Sequence, residues 1–464
     1  MDNLTIGSVS QGAETAERGD DLAQPGAGVG QRPGASGNGG GGTGGHGGVI
    51  AHEGGNATAP HNGETALEGR WVMPAFCVFA AYAAAAAIWA RGQDAIWAAW
   101  AVPGYIAAAA MVRRPRGRDL ALVTALAGAV AIPLLWLLAS GSLAAGMAVI
   151  QRSAALMLQH GSPYLPSRQL SSWLSYNPYL PAMALFGLPW VAGLRGIAGN
   201  PALWLALATV GILAVAFSTT VPHRVQHCQR CRRDVLRRTA FAAACPLMAL
   251  NLAVTTTDPP VLALMLLALA LAARPSRTTM SAVALGVACA MKSIAWFAVP
   301  VIAVTLRSRD GTRAAARFTA TSVLSALLSA ASAPAALASP ADIVRNTVLF
   351  PLGLTQRKTP AQSLLPGHLL AAAGPAGHAV SVGLLLTAGL AVAASLLIRP
   401  PRDLRAATLR LALGLALMFT LGPAERFGYF IYPLGLLGWV VLGGFGGRQG
   451  AGAGASRVPQ ESRE

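Results

Sequence analysis

Charge is what this sequence has least of. Among its 464 residues only 11% are Asp, Glu, Lys or Arg, less than half the roughly 25% of a soluble globular domain, which excludes an ordinary cytosolic enzyme. Lysine is nearly absent, with Lys292 and Lys358 as its two examples, and carboxylates are scarce: 18 against 35 basic residues, a net charge of +17. A basic excess of that size often marks a nucleic-acid partner. Here the arginines fall between long apolar runs, as in loops that flank transmembrane helices, so no nucleic acid is expected. Cysteine is sparse too. Of the five, Cys77, Cys245 and Cys289 lie inside apolar runs, where a thiol behaves as a small hydrophobe, and no disulfide framework is implied.

What the sequence has in abundance is apolar length. Runs near the ~20 residues needed to cross hydrocarbon occur at 71–90, 94–112, 120–139, 201–220, 239–256, 318–336, 379–398, 406–422 and 428–446. Three stretches are less regular. Residues 178–194 contain Pro178, Pro181 and Pro189, residues 259–273 are short, and residues 280–306 are long with Lys292 near the middle. The expected fold class is all-α: a polytopic transmembrane helical bundle of about 11–13 membrane segments, some incomplete. Residues 1–70 contain a Gly-dominated tract at Gly37–Gly48 and too few large apolar side chains for a core, so a disordered cytoplasmic tail is expected there. Residues 71–446 form the membrane domain, its first run an uncleaved signal-anchor. Residues 447–464 form a short cytoplasmic tail.

Arginines give the orientation. Clusters at Arg113–Arg118, Arg224–Arg238, Arg274–Arg277, Arg307–Arg317 and Arg399–Arg405 go to the cytoplasm, with both termini, by the positive-inside rule. The turn at Gly92–Gln93, the stretch 140–178, the Thr255–Asp258 turn, the loop 337–378 and the loop Pro423–Phe427 then face outward in a multi-pass cell-membrane protein. For 140–178 to be outside while 222–238 is inside, 178–194 must be a short re-entrant or interfacial segment. Basic residues at both ends of 280–306 leave two options: a hairpin of short helices with Lys292 near its apex, or one tilted span.

In the outer stretch, Met147, Ile150, Ala154 and Met157 recur at helical spacing while Gln151, Arg152 and Gln159 face elsewhere. That periodicity predicts an amphipathic helix lying in the interface, either as a plain connector or as a substrate platform. His160-Gly-Ser-Pro-Tyr164 and Tyr176-Asn177-Pro-Tyr179-Leu-Pro181 follow. Further on come Thr-Thr-Asp258 opening an apolar run, Ala-Met-Lys292-Ser before Ala-Trp296, and Arg426-Phe-Gly-Tyr429.

In this order, over roughly residues 120–445, the motifs resemble the GT-C class of integral membrane glycosyltransferases, most closely its actinobacterial mannosyltransferase-like branch. The resemblance implies interfacial helices in the extracytoplasmic loops and transfer of a sugar, mannose first, from a polyprenyl-phosphate-linked donor to a lipid or glycan acceptor. Membrane lipids are its other partners. An acceptor hydroxyl would attack the anomeric carbon, helped by a carboxylate base and by cations at the departing phosphate. The family places its catalytic carboxylate in the first large outer loop, whereas 140–178 contains no Asp or Glu. Either another outward carboxylate serves, Asp258 first and Glu425 second, or the chain binds a lipid-linked sugar without transferring it; a polytopic transporter or flippase is a further alternative.

Each candidate also has a plainer role. Asp258 before Pro259-Pro260 suits a helix cap, Glu425 beside Arg426 suits an exposed ion pair, Asp342 suits a second cap, and Asp94 sits apart in a tight turn. The residues proposed to bind substrate are Arg152, His160, Tyr164, Tyr176, Asn177, Tyr179, Lys292 and Arg426. Of these, Lys292 carries a charge inside an apolar run, where ionisable groups are costly and usually functional, or it snorkels to an interface. Arg357-Lys358 reads as a solvated pair, and His368 as a hydrogen-bonder. No nucleotide-binding glycine loop is present, and no cofactor is named by the sequence. His223, His227, Cys228 and Cys231 lie within nine residues, too compact for usual structural zinc, and an Arg-rich anchor on anionic headgroups fits that stretch better.

Overall fold

The computed structural model describes residues 71–114, 117–142, 144–221, 228–255, 257–357 and 363–445. The two expected tails, His223, His227 and Lys358 lie outside them. The described residues are helical, with no strand among them. Six helices are long and apolar enough to cross a membrane: α1 (Val72–Trp89), α2 (Gln93–Val112), α3 (Gly117–Ala139), α5 (Pro201–Thr220), α11 (Pro375–Ile398) and α12 (Leu404–Leu421). Between them lie α4 (Ala145–His160), α6 (Gln229–Ala244), α7 (Asp258–Ala272), α8 (Thr278–Met291), α9 (Ala298–Asp310) and α10 (Thr312–Ala330), with α13 (Ile431–Val441) last.

Three of the other apolar runs are broken into shorter pieces, for identifiable reasons. The run 239–256 is interrupted at Cys245–Pro246, where Cys245 is extended and Pro246 restarts a helix that widens into a π-helical turn at Asn251–Thr255. The run 178–194 becomes a 3-10 turn, Pro181–Gly187, and one helical turn, Leu188–Val191, too short to cross. The run 280–306 breaks at Lys292, whose backbone is extended.

At the centre stands α7, a 15-residue helix in which every residue but Leu267 is buried. A helix that is apolar all round belongs inside a bundle, and α5, α8 and α13 pack around it. Close approach uses small residues, as it does where lipid supplies no hydrophobic drive between helices. Where α2 crosses the π-turn inside α3, Gly104 and Gly128 touch through their backbones: a Cβ on Gly128 would meet Gly104 Cα at 2.6 Å. The periphery has the opposite character. In α11 only 11% of the apolar window is buried, and Leu386, Leu390, Leu397 and Ile398 stand exposed, a surface suited to lipid rather than water.

The bundle has two unlike ends. At one, Asp119 pairs with Arg237 and more loosely with Arg233, Arg113 contacts Met73, Arg274 donates to Val221 O at 2.9 Å, and Arg309 donates to Ala272 O at 2.8 Å. The arginine clusters thus meet one another. Since Arg309 ends α9 beside the end of α7, while Lys292 begins the break beside the start of α7, α8 and α9 run in opposite directions and Lys292 is the apex of a hairpin. Of the two options open for residues 280–306, the chain takes the hairpin, with α10 packed along both arms.

The opposite end gathers the aromatic and proline-rich loops. Gln93 donates to Ser142 O at 3.0 Å, and Ala335 N to Gly161 O at 3.0 Å. Helix α4 lies here with Met147, Ile150, Ala154 and Met157 buried, as its periodicity predicts, but the covered stripe faces protein. Its partner is the Pro181–Gly187 turn, so this stripe is not left for lipid.

Candidate functional site

A cavity of about 260 Å³ opens at the aromatic end, between the start of α7, the Lys292 apex, α4 and the segment leading into α13. Asp258, Lys292, Glu425 and Arg426 line it, together with Tyr176, Tyr179, Tyr429 and Tyr432. Two of the four carboxylates that the sequence led us to expect outside, Asp258 and Glu425, therefore share one space, although 167 positions separate them in the chain.

Asp258 occupies the first turn of α7, where a negative charge suits the helix dipole. Its carboxylate does not cap the helix. Oδ1 accepts from the Lys292 ammonium and from the Tyr432 hydroxyl, the latter at 2.7 Å, and no partner occupies Oδ2 among the described residues. Lys292 is held from above by rings as well, with Nζ 4.9 Å from the Tyr429 centroid and 5.9 Å from that of Tyr179, inside cation–π range. Both charges are largely covered, Lys292 with 13% and Asp258 with 6% of the side chain exposed. The chain break makes this possible, because an uninterrupted helix through 292 would carry the ammonium along its side rather than over the N-terminus of α7.

Gly146 lets α4 close the wall: a Cβ there would meet Tyr179 Oη at 2.8 Å. Tyr176 lies flat on Phe350, centroids 4.3 Å apart and planes 6° from parallel, forming another wall. A main-chain bond, Leu180 N to Met291 O at 3.0 Å, joins the wall bearing Tyr179 to the residue before Lys292.

Glu425 lies in the loop between α12 and the last helical segment, its backbone oxygen accepting from Ser363 N at 3.1 Å. The expected ion pair with Arg426 is not formed; the carboxyl turns into the cavity instead. Burial pushes its pKa up to about 8, Lys292 works against that rise and the Asp258 charge adds to it. At neutral pH Glu425 is therefore mainly the neutral acid. Arg426 is exposed at the rim, and its charge also reaches Asp94.

The remaining named residues are structural props or lie elsewhere. Arg152 donates to the Leu174 and Ser175 carbonyls at 2.8 and 3.2 Å. Tyr164 is buried and donates to Tyr179 O at 3.0 Å. Asn177 is buried, takes Tyr179 N at 3.0 Å on its own oxygen and donates to Pro163 O. These three hold the aromatic loop in place without lining the cavity. His160 is exposed at the end of α4, away from it. Asp342 pairs with Arg345 at 3.0 Å, and His368 meets Pro423 O. Tyr432, Asn251 and Phe350 also line the cavity and lie outside the motifs legible in the sequence. Tyr432 and Asn251 left one signal, a polar group inside an apolar run, which must find a partner once buried.

Among the described residues no group of three or more His, Cys, Asp or Glu side chains is placed to hold a metal ion. Compared with models of protein families, with curated proteins and with solved structures, the chain matches none.

Proposed function

We propose that the protein is a polytopic membrane glycosyltransferase that moves a sugar, mannose first among candidates, from a polyprenyl-phosphate donor to an extracytoplasmic lipid or glycan acceptor. The observation that carries this reading is the state of Asp258: one carboxylate oxygen fixed by Lys292 and Tyr432, the other left to the cavity. A base needs that arrangement, oriented yet free on one lone-pair face.

On this reading the acceptor hydroxyl attacks the anomeric carbon as the bond from that carbon to the phosphate oxygen breaks. The hydroxyl proton passes to Asp258 Oδ2. Arg426 at the rim opposes the growing charge on the leaving phosphate, and neutral Glu425 offers it a proton or a hydrogen bond. Separate environments for two carboxylates are how acid and base roles divide in one site. The cavity then supplies the carboxylate that residues 140–178 lack. The arginine-rich end faces the cytoplasm by the positive-inside rule, which puts the cavity on the outer side.

The test is transfer of radiolabelled mannose from polyprenyl-phosphate-mannose by the purified protein in lipid. Loss of a general base lowers a rate by about 10²–10⁴-fold, so Asp258→Asn should lose at least 10²-fold in turnover while still binding the donor. Undiminished transfer by a folded Asp258→Asn protein removes Asp258 from the mechanism. A wild-type protein that binds the donor yet never transfers it supports the binding-only alternative.

A further inference from the structure

The opposite end of the bundle carries chemistry that the cavity does not use. Cys228 is the residue before the first turn of α6, and Cys231 follows within that turn. Cys228 is exposed, Cys231 partly covered, and neither is in a disulfide. Cys228 is the N-cap and Cys231 the third residue of α6, so one turn of helix brings both thiols to the same face. The other cysteines differ: Cys289 is buried, Cys245 is partly covered, and Cys77 lies on the apolar face of α1.

The surroundings divide the labour between the two thiols. Backbone amides of Cys231 and Arg230 at the helix start hold the Cys228 thiol below the ordinary thiol range, helped by Cys231 and by the Arg230 charge. Burial and the neighbouring Cys228 sulfur raise Cys231. An exposed sulfur shifted toward the thiolate beside a partly covered one shifted toward the thiol is the arrangement of an attacking and a resolving thiol. Charge adds selectivity. Arg230, Arg232 and Arg233 are exposed around the pair, whereas Asp234 is taken by Arg238 and Asp119 by Arg237.

We propose that Cys228 and Cys231 form a redox-active dithiol that exchanges with anionic low-molecular-weight disulfides. The Cys228 thiolate attacks one sulfur of the external disulfide, that S–S bond breaks, and the first thiolate leaves and takes up a proton from water. Cys231, losing its own proton to solvent, then attacks Cys228 Sγ and expels the second thiolate. Two protein thiols are oxidised by two electrons to one disulfide, and the external disulfide is reduced to two thiols.

The test uses the full chain in lipid nanodiscs, incubated with glutathione disulfide and reduced glutathione in set ratios, quenched with acid and mapped by mass spectrometry. Expected is a Cys228–Cys231 disulfide that forms and reverses with the ratio. Cys231→Ser should accumulate glutathione on Cys228, whereas Cys228→Ser should leave Cys231 free. Cys228 should react faster at neutral pH than the same cysteine in an unfolded peptide of this sequence. Cystamine, a cationic disulfide, should react several-fold more slowly than glutathione disulfide at low salt. Absence of the 228–231 disulfide in wild-type protein under excess oxidised glutathione overturns the proposal, as does a Cys228 rate equal to that of the peptide. Equal rates with the two disulfides overturn the anionic selectivity.

Discussion

Replacing Lys292 with methionine isolates the interaction on which the cavity is built. The substitution keeps an unbranched chain of similar length and deletes the charge. Asp258, with 6% of its side chain exposed, then keeps only the Tyr432 hydroxyl at 2.7 Å. Stranding one member of a covered ion pair costs about 3–5 kcal/mol, and the lost ring contacts of Lys292 with Tyr429 and Tyr179 add about 0.5–2 kcal/mol. Part of that returns through the better burial of methionine, so a net loss near 4 kcal/mol is expected. Asp258→Asn should cost a comparable amount, because it strands the ammonium. The double variant carries no charge and should be less destabilised than the sum of the singles by at least about 1.5 kcal/mol. Reversible unfolding in mixed micelles by titration with dodecyl sulfate, followed by tryptophan fluorescence, measures all three. A loss below about 1 kcal/mol for Lys292→Met, or strictly additive singles, would refute a coupled ion pair at this position.

Other outcomes follow from the same geometry. Because folding raises the pKa of Glu425 from its ordinary value of 4.5 to about 8, the folded state holds a proton that the unfolded chain releases between those values. Stability from this group is full below pH 4.5 and declines as pH rises to about 8, with a slope of at most about 1.4 kcal/mol per pH unit; Glu425→Gln should flatten that slope in unfolding titrations from pH 5 to 9. Gly128→Val should cost at least about 1–3 kcal/mol through overpacking against Gly104, while Gly211→Ala, with nothing within 4 Å of the new methyl, should be neutral or stabilising in the same assay. In sealed vesicles of a cysteine-free background, a membrane-impermeant maleimide should label Arg426→Cys and a restored Cys228 from opposite sides; labelling of both from one side contradicts the orientation.

The sequence made the helical class and the two-ended organisation legible, because apolar length and arginine position are local properties. Periodicity alone identified the covered face of α4 through Met147, Ile150, Ala154 and Met157. It could not say that protein rather than lipid covers that face, since both are apolar. The hairpin at 280–306 stayed ambiguous for a related reason: basic residues at its ends fix where it starts and stops, but only contact with α7 fixes whether it turns. The meeting of Asp258, Lys292 and Tyr432 is a product of tertiary packing among α7, the apex and α13, and no spacing rule reaches across 174 positions. Arg152, Tyr164 and Asn177 belong to the outer-loop motifs, yet the hydrogen bonds their side chains make go to backbone, holding the loop that presents Tyr176 and Tyr179.

The hydrogen bond from Leu180 N to Met291 O has a consequence for how this cavity can diversify. It joins two walls through main-chain atoms, and among non-proline residues it survives any change of side chain at either position. The Tyr179 wall and the Lys292 apex are thus tethered as one frame, whereas the Phe350 and Glu425–Arg426 segments come from separate loops with no main-chain bond to it among the described residues. Differences in the size or charge of the accepted molecule can arise through those two loops, with the ion pair underneath left undisturbed.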